Sequence, residues 1–547
     1  MENMAEKIEK LTLELTSILG VAGTADETKV ARFIYEKFKS MNYFKEHPNL
    51  IRLIDIKGDN LNRKNVIAIV KGEKRRNKNT LIIMGHLDTV GISDYGDLSR
   101  YATNPRELKE KLKNVVLPED VSKDLYSGEY LFGRGIFDMK CGIAGAMMVI
   151  EDISQNFEDL EGNIVFLSEA DEEGNSTGMI AAVPELIKLK EEQGFEYLGL
   201  INTDITTSLY PKDEKKYIFT GTAGKLMPTF YIVGKEAHVG EPFSGLDPNL
   251  IASQITCDID LNCEYCDEME GEFTLPPVTL KQKDLKNEYS VQTARTAYLY
   301  FNYLTNNSTP DGVMKRMKKA AKESFKKVIE RVERNAERYY GMTGFPYKRI
   351  SWEARVMTYE ELYKTVKAER GEEADNLINN LTERYLQKPE TDKLTVTLEI
   401  VKELHELWSD KNPVIIIYFS PIYYPHTYVK GNNINEKRFI NSIEKAAIQN
   451  GGKYDIQIKK FFPWISDLSY VSAPKEERII SVFRNNTPGY GILYSLPLKE
   501  MQQLNLPTAN IGPFGKDAHK FTERLHRDYS FNVFPQILYD TIKNLLN

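Results

Sequence analysis

Residues 81–90, LIIMGHLDTV, place a histidine and a carboxylate two positions apart at the end of an apolar strand. On a β-strand, residues i and i+2 point to the same face. His86 can therefore offer one ring nitrogen to a metal ion while Asp88 orients the ring through the other nitrogen, the usual arrangement around a ligating imidazole. A structural histidine would fit the same pattern, so the hypothesis of a metal site depends on the rest of the chain.

Strand and helix patterns alternate around this stretch. Apolar strand-like runs occupy residues 65–70, 81–84, 163–167 and 198–202, and helical patterns occupy residues 141–153 and 179–190. This alternation predicts an α/β fold whose largely parallel sheet is flanked by helices on both faces. In such a fold we expect functional loops at the carboxyl ends of the strands.

The chain is too long for a single hydrophobic core, since it has 547 residues. From about residue 215 strands and helices segregate, and a highly charged helix is predicted over residues 311–340, before the α/β pattern returns after about residue 358. We therefore predict a catalytic domain whose first part is residues 1–213 and whose second part is residues 361–547. Residues 214–360 are predicted to form an inserted α+β lid domain.

Composition excludes several classes of protein. The net charge of −7 argues against a nucleic-acid or anionic-membrane partner, and the glutamates within the charged helix favour a solvated face. We expect neither a membrane span nor a signal peptide, and the four cysteines do not make a disulfide framework. The expected location is the cytoplasm.

Three more segments place acids where predicted strands end or helices begin, and a fourth places a histidine in a glycine loop near the C-terminus. They are GRGIFDMKCGIAGAM with Asp138, FLSEADEEGNSTG with Asp171, Glu172 and Glu173, LINTDIT with Asp204, and GPFGKDAHKFTE with His519. Each alone can be explained as a helix cap or a turn. Together, two histidines and several carboxylates at the edge of one sheet predict a metal site, and this donor set suits zinc.

The order HxDxV, GRGxxDMK, DEExG, a later aspartate, GxxxHxGxP and a terminal histidine loop resembles the aminoacylase, carboxypeptidase and acetylornithine-deacetylase family of dinuclear zinc metallopeptidases. The resemblance covers essentially the whole chain. The length and the segments IIIYFSPIYYP and FFPWISDLSYV resemble the arginine-utilisation branch most closely. The resemblance to this family implies a zinc-peptidase-type catalytic domain with a lid.

The resemblance also implies roles for individual residues. His86 and Asp204 would hold one Zn²⁺, Glu173 and His519 would hold the second, and Asp138 would bridge both. Asp88 would orient His86, and Glu172 would be the general base. Co²⁺ or Mn²⁺ are alternatives to zinc. His238, in the lid segment GKEAHVGEPFSGLDPN, would donate to a substrate carbonyl or oxyanion, often that of a neighbouring subunit in the family. A homodimer through the lid and a monomer whose long lid reaches its own site are the two alternatives.

The chain departs from the family pattern at two places. The usual double glycine after DMK is Cys141-Gly142, where we expect a small buried cysteine. The lid arginine that grips a substrate carboxylate has no matching position in TAYLYFNYL, so Arg295 and Arg355 are the alternatives. The lone CxxC formed by Cys263 and Cys266 has no second pair and is not expected to bind zinc.

The leading hypothesis is a metallohydrolase that cleaves an amide or peptide bond in a small N-acyl amino acid or short peptide, in arginine catabolism. Two kinds of scissile bond remain as alternatives: the amide of an N-acyl amino acid and the peptide bond of a dipeptide. A metal-binding sensor or binding module that has lost catalysis is the alternative, and Glu172 argues against it because a pure binder needs ligands but no adjacent base.

Overall fold

The computed structural model describes residues 3–75, 77–387 and 392–547. These residues form two compact units. The first unit comprises Met1–Thr222, Thr427–Ala473 and Pro497–Asn547, and the second comprises Ala223–His426 and Pro474–Leu496. Among the described residues, no helix is both long and apolar enough to cross a membrane.

The main sheet of the first unit is mixed, with a parallel centre. Its described strands lie in the order Ile51–Asp55, Lys64–Lys71, Asn163–Glu169, Asn79–His86, Glu196–Asn202, Thr508–Asn510, Lys216–Phe219 and Ile456–Lys459. The strand Asn79–His86 runs parallel to both of its neighbours, and Thr508–Asn510 continues the parallel run beside Glu196–Asn202. The carboxyl ends of these four strands therefore meet at one edge of the sheet, as the sequence predicts.

Helices cover this sheet and bury its apolar residues. The α-helices of the first unit are Met4–Thr16, Glu27–Ser40, Asn42–Glu46, Pro105–Leu112, Glu119–Ser127, Cys141–Ser154, Thr177–Gln193, Ile434–Asn450, Leu498–Leu504 and Phe534–Leu546. The helix Cys141–Ser154 is almost entirely buried, which explains its nearly continuous apolar sequence. Shorter strands are Tyr130–Phe132, Gly221–Thr222, Thr427–Tyr428, Gly515–Lys516 and Arg524–His526.

The second unit has its own sheet and its own core. The strands of the sheet lie in the order Val278–Asp284, Thr296–Thr305, Gly224–Val233, Val414–Tyr424 and Val356–Thr358, beside the short hairpin Glu268–Met269 and Glu272–Phe273. The helices are Pro248–Ile259, Pro310–Thr343, Tyr359–Arg370, Glu372–Leu386, Lys393–Leu407 and Glu477–Asn485. The long charged helix Pro310–Thr343 buries one apolar face, as expected for a solvated helix with apolar anchors.

The division of the chain differs from the predicted one after residue 360. The strand Val414–Tyr424, which was assigned to the catalytic domain, pairs antiparallel with Gly224–Val233 in the sheet of the second unit. The helix Lys393–Leu407 packs in the same core, where Leu404 and Val414 are buried together with Tyr231. The inserted unit is therefore longer than 214–360, because strand pairing rather than local pattern decides which sheet a buried strand joins.

Most predicted elements lie where the patterns place them, with shifts of a few residues at their ends. Residues 349–357 have a strand-like sequence pattern, but only Val356–Thr358 is a strand. These three residues pair with Ile415, Ile416 and Ile417, and the residues before them make no ladder.

Candidate metal centre

His86 is the last residue of the strand Asn79–His86 and is 2% exposed. Its Nε2 atom lies 3.2 Å from Oδ1 of Asp138 and 3.8 Å from Oδ1 of Asp204. Its Nδ1 atom faces Asp88, 3.2 Å from the carbonyl oxygen and 3.5 Å from the nearer carboxylate oxygen. The ring is thus held from one side and presents its other nitrogen to two carboxylates.

Asp138 lies between the two predicted histidines. One carboxylate oxygen is 3.2 Å from Nε2 of His86, and the other is 3.2 Å from Nε2 of His519. On the same side, Oε1 of Glu173 lies 2.8 Å from Nε2 of His519. A carboxylate with one oxygen facing each histidine has the arrangement expected of a ligand shared by two metal ions.

The structure therefore brings the five predicted ligands together. His86, Asp138 and Glu173 each offer a ligand atom within 4.8 Å of the others, and no second group of this kind occurs among residues 3–75, 77–387 and 392–547. Asp204 stands beside His86, and His519 beside Glu173. Imidazole nitrogen and carboxylate oxygen donors suit zinc, so this donor set fits the metal that the sequence predicts.

Asp88 also holds the turn that carries the two glutamates. Its Oδ1 accepts a hydrogen bond from the backbone N–H of Glu172 (3.2 Å), and its Oδ2 accepts one from the N–H of Glu173 (3.0 Å). The prediction that Asp88 orients His86 describes only part of its contacts, because the Asp88 carbonyl oxygen lies closer to Nδ1 of His86 than the carboxylate does. Asp88 joins the histidine strand to the acidic turn.

Asp171, which directly precedes the two glutamates of the acidic turn, belongs to a buried network of charged residues that the sequence patterns do not predict. Nη1 of Arg63 lies 3.1 Å from Oε1 of Glu27 and 2.7 Å from Oδ1 of Asp171, and all three residues are buried. Glu27 also accepts a hydrogen bond from the backbone N–H of Asp171 at 2.8 Å. Asp171 has a positive φ of 68°, so these contacts hold a backbone conformation that aspartate tolerates better than most residues.

Asp204 is fixed through its backbone. Its N–H donates to Oδ1 of Asn510 at 3.1 Å, and Nδ2 of Asn510 donates to the Asp204 carbonyl oxygen at 3.1 Å. A Cβ atom on Gly512 would overlap that carbonyl oxygen, so only glycine allows the chain to pass so close. Gly512 is thus needed for packing beside the candidate ligand Asp204.

Burial and charge shift the pKa values of the clustered groups. Burial raises the pKa of Asp204 to about 7, and the charge of Asp138 adds to the rise. Burial would also raise the pKa of Asp138, but hydrogen bonds from His519 and His86 outweigh it and lower that pKa. Burial raises the pKa of Glu172 well above its usual range, which makes its carboxylate a stronger base. A divalent cation would offset this crowding of acids.

Two further buried carboxyls lie in this neighbourhood, Glu169 and Asp467. Burial raises the pKa of Asp467 to about 8, and the charge of Asp88 contributes. Burial likewise raises the pKa of Glu169, with Asp467 adding to the effect. Neither was predicted as a site residue, although both lie in quoted segments, FLSEADEEGNSTG and FFPWISDLSYV.

His238 belongs to the second unit and is exposed. Its Nδ1 atom accepts a hydrogen bond from the N–H of Gly240 at 3.0 Å. The two arginines considered for a substrate carboxylate both face acids in this unit: Arg295 lies 3.3 Å from Glu406, and Arg355 forms a two-bond contact with Asp410.

Cys141 and His405 are both buried. Cys141 is fully buried, as expected for a small packed side chain, whereas Cys263 is exposed and Cys266 partly so. His405 is buried beside Tyr231 and Trp408. These residues lie outside the group of candidate ligands.

This chain is similar to one family model and to two proteins of Bacillus subtilis. The model of peptidase family M20/M25/M40 matches residues 82–495. Protein RocB of Bacillus subtilis is 36% identical over 548 residues, covering 100% of this chain and 96% of that protein. The uncharacterized protein YqjN of the same species is 34% identical, covering 100% and 97%.

A solved structure shows the same fold. A tripeptidase from Staphylococcus aureus aligns over 100% of both chains with a TM-score of 0.53, at 14% sequence identity. The family predicted from the motifs is thus confirmed, and so is the α/β fold with mixed sheets flanked by helices. The matched family model, the full-length relatives and the converging histidines and acids agree that this chain belongs to peptidase family M20/M25/M40.

Proposed function

We propose that this chain is a two-zinc hydrolase that cleaves an amide or peptide bond in a small N-acyl amino acid or short peptide. The observation that supports it best is the position of Asp138, whose two carboxylate oxygens each lie 3.2 Å from a different histidine. A single structural histidine would need no such shared acid.

In this proposal His86 and Asp204 hold one ion, Glu173 and His519 hold the other, and Asp138 contacts both. Zinc at such a site would polarise the scissile carbonyl and make water more acidic. Cobalt or manganese would suit the same nitrogen and oxygen donors.

Glu172 is the proposed general base. Its backbone N–H donates a hydrogen bond to Asp88, which fixes the turn. Burial raises the pKa of its carboxyl group, and the carboxylate form would accept a proton from the attacking water. The same carboxyl group then gives the proton to the leaving amine. Glu173, the next residue, faces His519, so the two adjacent glutamates serve different partners.

A cavity borders His519, one of the proposed ligands. The cavity has a volume of about 520 Å³, lies within the first unit, and is lined in part by Pro118, Val121, His519 and Phe521. Such a volume is in the range of small-molecule sites. The resemblance to the arginine-utilisation branch makes arginine-containing compounds the first substrates to test.

The test is a hydrolysis screen on metal-free protein reloaded with zinc, with N-acyl amino acids and dipeptides, including those of arginine. We expect zinc-dependent release of a free amine that Glu172→Gln abolishes. Two bound zinc ions without hydrolysis of any amide would instead favour a metal-binding sensor. Absence of zinc binding would contradict the proposal.

A further inference from the structure

Glu523 is a fully buried acid with three hydrogen-bond donors around it. Its Oε1 atom accepts hydrogen bonds from the backbone N–H groups of Phe137 (3.2 Å) and Asp138 (3.3 Å). Its Oε2 atom accepts a hydrogen bond from Nη1 of Arg134 at 2.9 Å. Both carboxylate oxygens are therefore used as acceptors at the turn that carries Asp138.

Arg134 is itself held on its other side. Its Nη2 atom donates to both carboxylate oxygens of Asp94, at 2.8 and 2.7 Å, and its Nε atom donates to the carbonyl oxygen of Gly91 at 3.1 Å. Arg134 is 1% exposed. A buried arginine with all these contacts gives Glu523 a fixed charged partner.

The backbone of Glu523 belongs to the segment that carries His519. Its N–H donates to the carbonyl oxygen of Lys520 at 2.8 Å, and its own carbonyl oxygen accepts from the N–H of Gly133 at 3.2 Å. The next strand, Arg524–His526, then pairs with Tyr130–Phe132. One residue thus connects the histidine loop to the Asp138 turn through both its backbone and its side chain.

We propose that Glu523, held by Arg134, is a positioning residue that sets Asp138 at the correct distance from His519 for both to bind the same metal ion. This inference rests on the proposed two-metal function. The inference extends that function, because it makes Glu523 responsible for the distance between two candidate ligands although Glu523 itself would bind neither substrate nor metal.

Replacement of Glu523 by glutamine tests the role, since the amide keeps the shape but has only one acceptor oxygen. Its NH₂ group must face either Arg134 or the two backbone N–H groups, all of which are donors. We expect zinc affinity, measured by calorimetric titration of the metal-free protein, to fall by about 10–100-fold, the usual effect of losing a group that orients metal ligands. We also expect kcat to fall more than KM changes.

Glu161→Gln is the matched control. Glu161 is also buried and pairs with Lys74 (3.1 Å) and Arg75 (3.2 Å), but it precedes the amino end of the strand Asn163–Glu169, away from the candidate ligands. It should lower the thermal midpoint of the metal-free protein without changing zinc affinity. Equal loss of zinc affinity in both variants would mean a general effect of stability and would overturn the assignment.

A second variant covers the case in which Glu523→Gln does not fold. Arg134→Lys keeps a positive charge beside Glu523 but loses the two-bond contact with Asp94, so its zinc affinity should fall below that of the wild type and of Glu161→Gln. Wild-type zinc affinity in every variant that folds would overturn the positioning role and leave the proposed function intact. Absence of zinc binding by the wild type would instead refute the proposed function.

Discussion

The backbone N–H of Glu173 donates a hydrogen bond of 3.0 Å to the carboxylate of Asp88. The second oxygen of that carboxylate accepts from the N–H of Glu172. Because Asp88 follows His86 by two residues, the motif that ends the strand also sets the turn that carries the proposed base and a proposed ligand. The HxD motif and the acidic turn are therefore coupled through backbone hydrogen bonds.

Asp88→Asn should weaken this coupling. The amide has one acceptor oxygen, so one of the two backbone N–H groups loses its partner. We expect a loss of about 10–100-fold in zinc affinity or in kcat/KM, as for other groups that support metal ligands. Calorimetric titration and steady-state kinetics measure these two quantities, and a variant that matches the wild type in both would contradict the role.

Glu172→Gln should abolish turnover and keep the metal. The glutamine side chain cannot accept the proton, and loss of a general base costs about 10²–10⁴ in rate. Elemental analysis of the purified variant should give the wild-type metal content. Full activity in Glu172→Gln would show that another group removes the proton.

Glu173→Ala should lose metal as well as activity, although Glu173 is adjacent to Glu172 in the chain. Its carboxylate lies 2.8 Å from Nε2 of His519, so its removal takes away an oxygen donor from one of the two proposed ions. We expect about one zinc ion per chain in place of about two. Two tightly bound ions in Glu173→Ala would remove Glu173 from the ligand set.

Sequence reasoning found the candidate ligands because each follows a recognisable local signal. His86 ends an apolar strand, Asp204 follows another, and the glycine-rich loops mark Asp138 and His519. Parallel pairing then brings the strand ends together, which the strand–helix alternation predicts.

The supporting residues carry no such local signal. Glu27 and Asp171 are 144 positions apart, and Asp138 and Glu523 are 385 apart, so their hydrogen bonds exist only once the chain has folded. The same reason explains the boundary after residue 360. The apolar strand Val414–Tyr424 would suit either sheet, and only its pairing with Gly224–Val233 assigns it to the second unit.

His405 should make the second unit sensitive to acid. It is fully buried, and neither ring nitrogen has a hydrogen-bond partner among the described residues. Burial lowers its pKa to about 4, with the charge of Lys411 contributing, whereas an unfolded histidine has a pKa near 6.5. The unfolded chain therefore binds the proton first as the pH falls.

The contribution of His405 to stability is thus present above about pH 6.5 and is lost as the pH falls towards 4, by about 3 kcal/mol at most. His405→Phe, which keeps a flat ring but cannot be protonated, should lose less stability over this interval. Thermal midpoints of both proteins between pH 7 and pH 4.5 measure the difference. Parallel curves would show that His405 does not cause the acid sensitivity.

His238 should act as a hydrogen-bond donor in catalysis. Because Nδ1 accepts from the N–H of Gly240, a neutral ring carries its proton on Nε2, which is then available to a substrate oxygen. If it stabilises the developing oxyanion, His238→Ala should lower kcat by about 10²–10³. Zinc content should not change, and an unchanged kcat would contradict the role.

Mixing two inactive variants tests whether His238 acts on its own chain or on a partner chain. In a homodimer that shares His238 between subunits, hybrids of Glu172→Gln and His238→Ala contain one site with both the base and the donor intact. We therefore expect partial recovery of activity after subunit exchange, up to about one quarter of the wild-type rate for random mixing, since half of the dimers are hybrids and each has one intact site. No recovery after exchange has been verified by mass spectrometry would mean that each chain supplies its own His238, and the predicted role of the dimer would then be wrong.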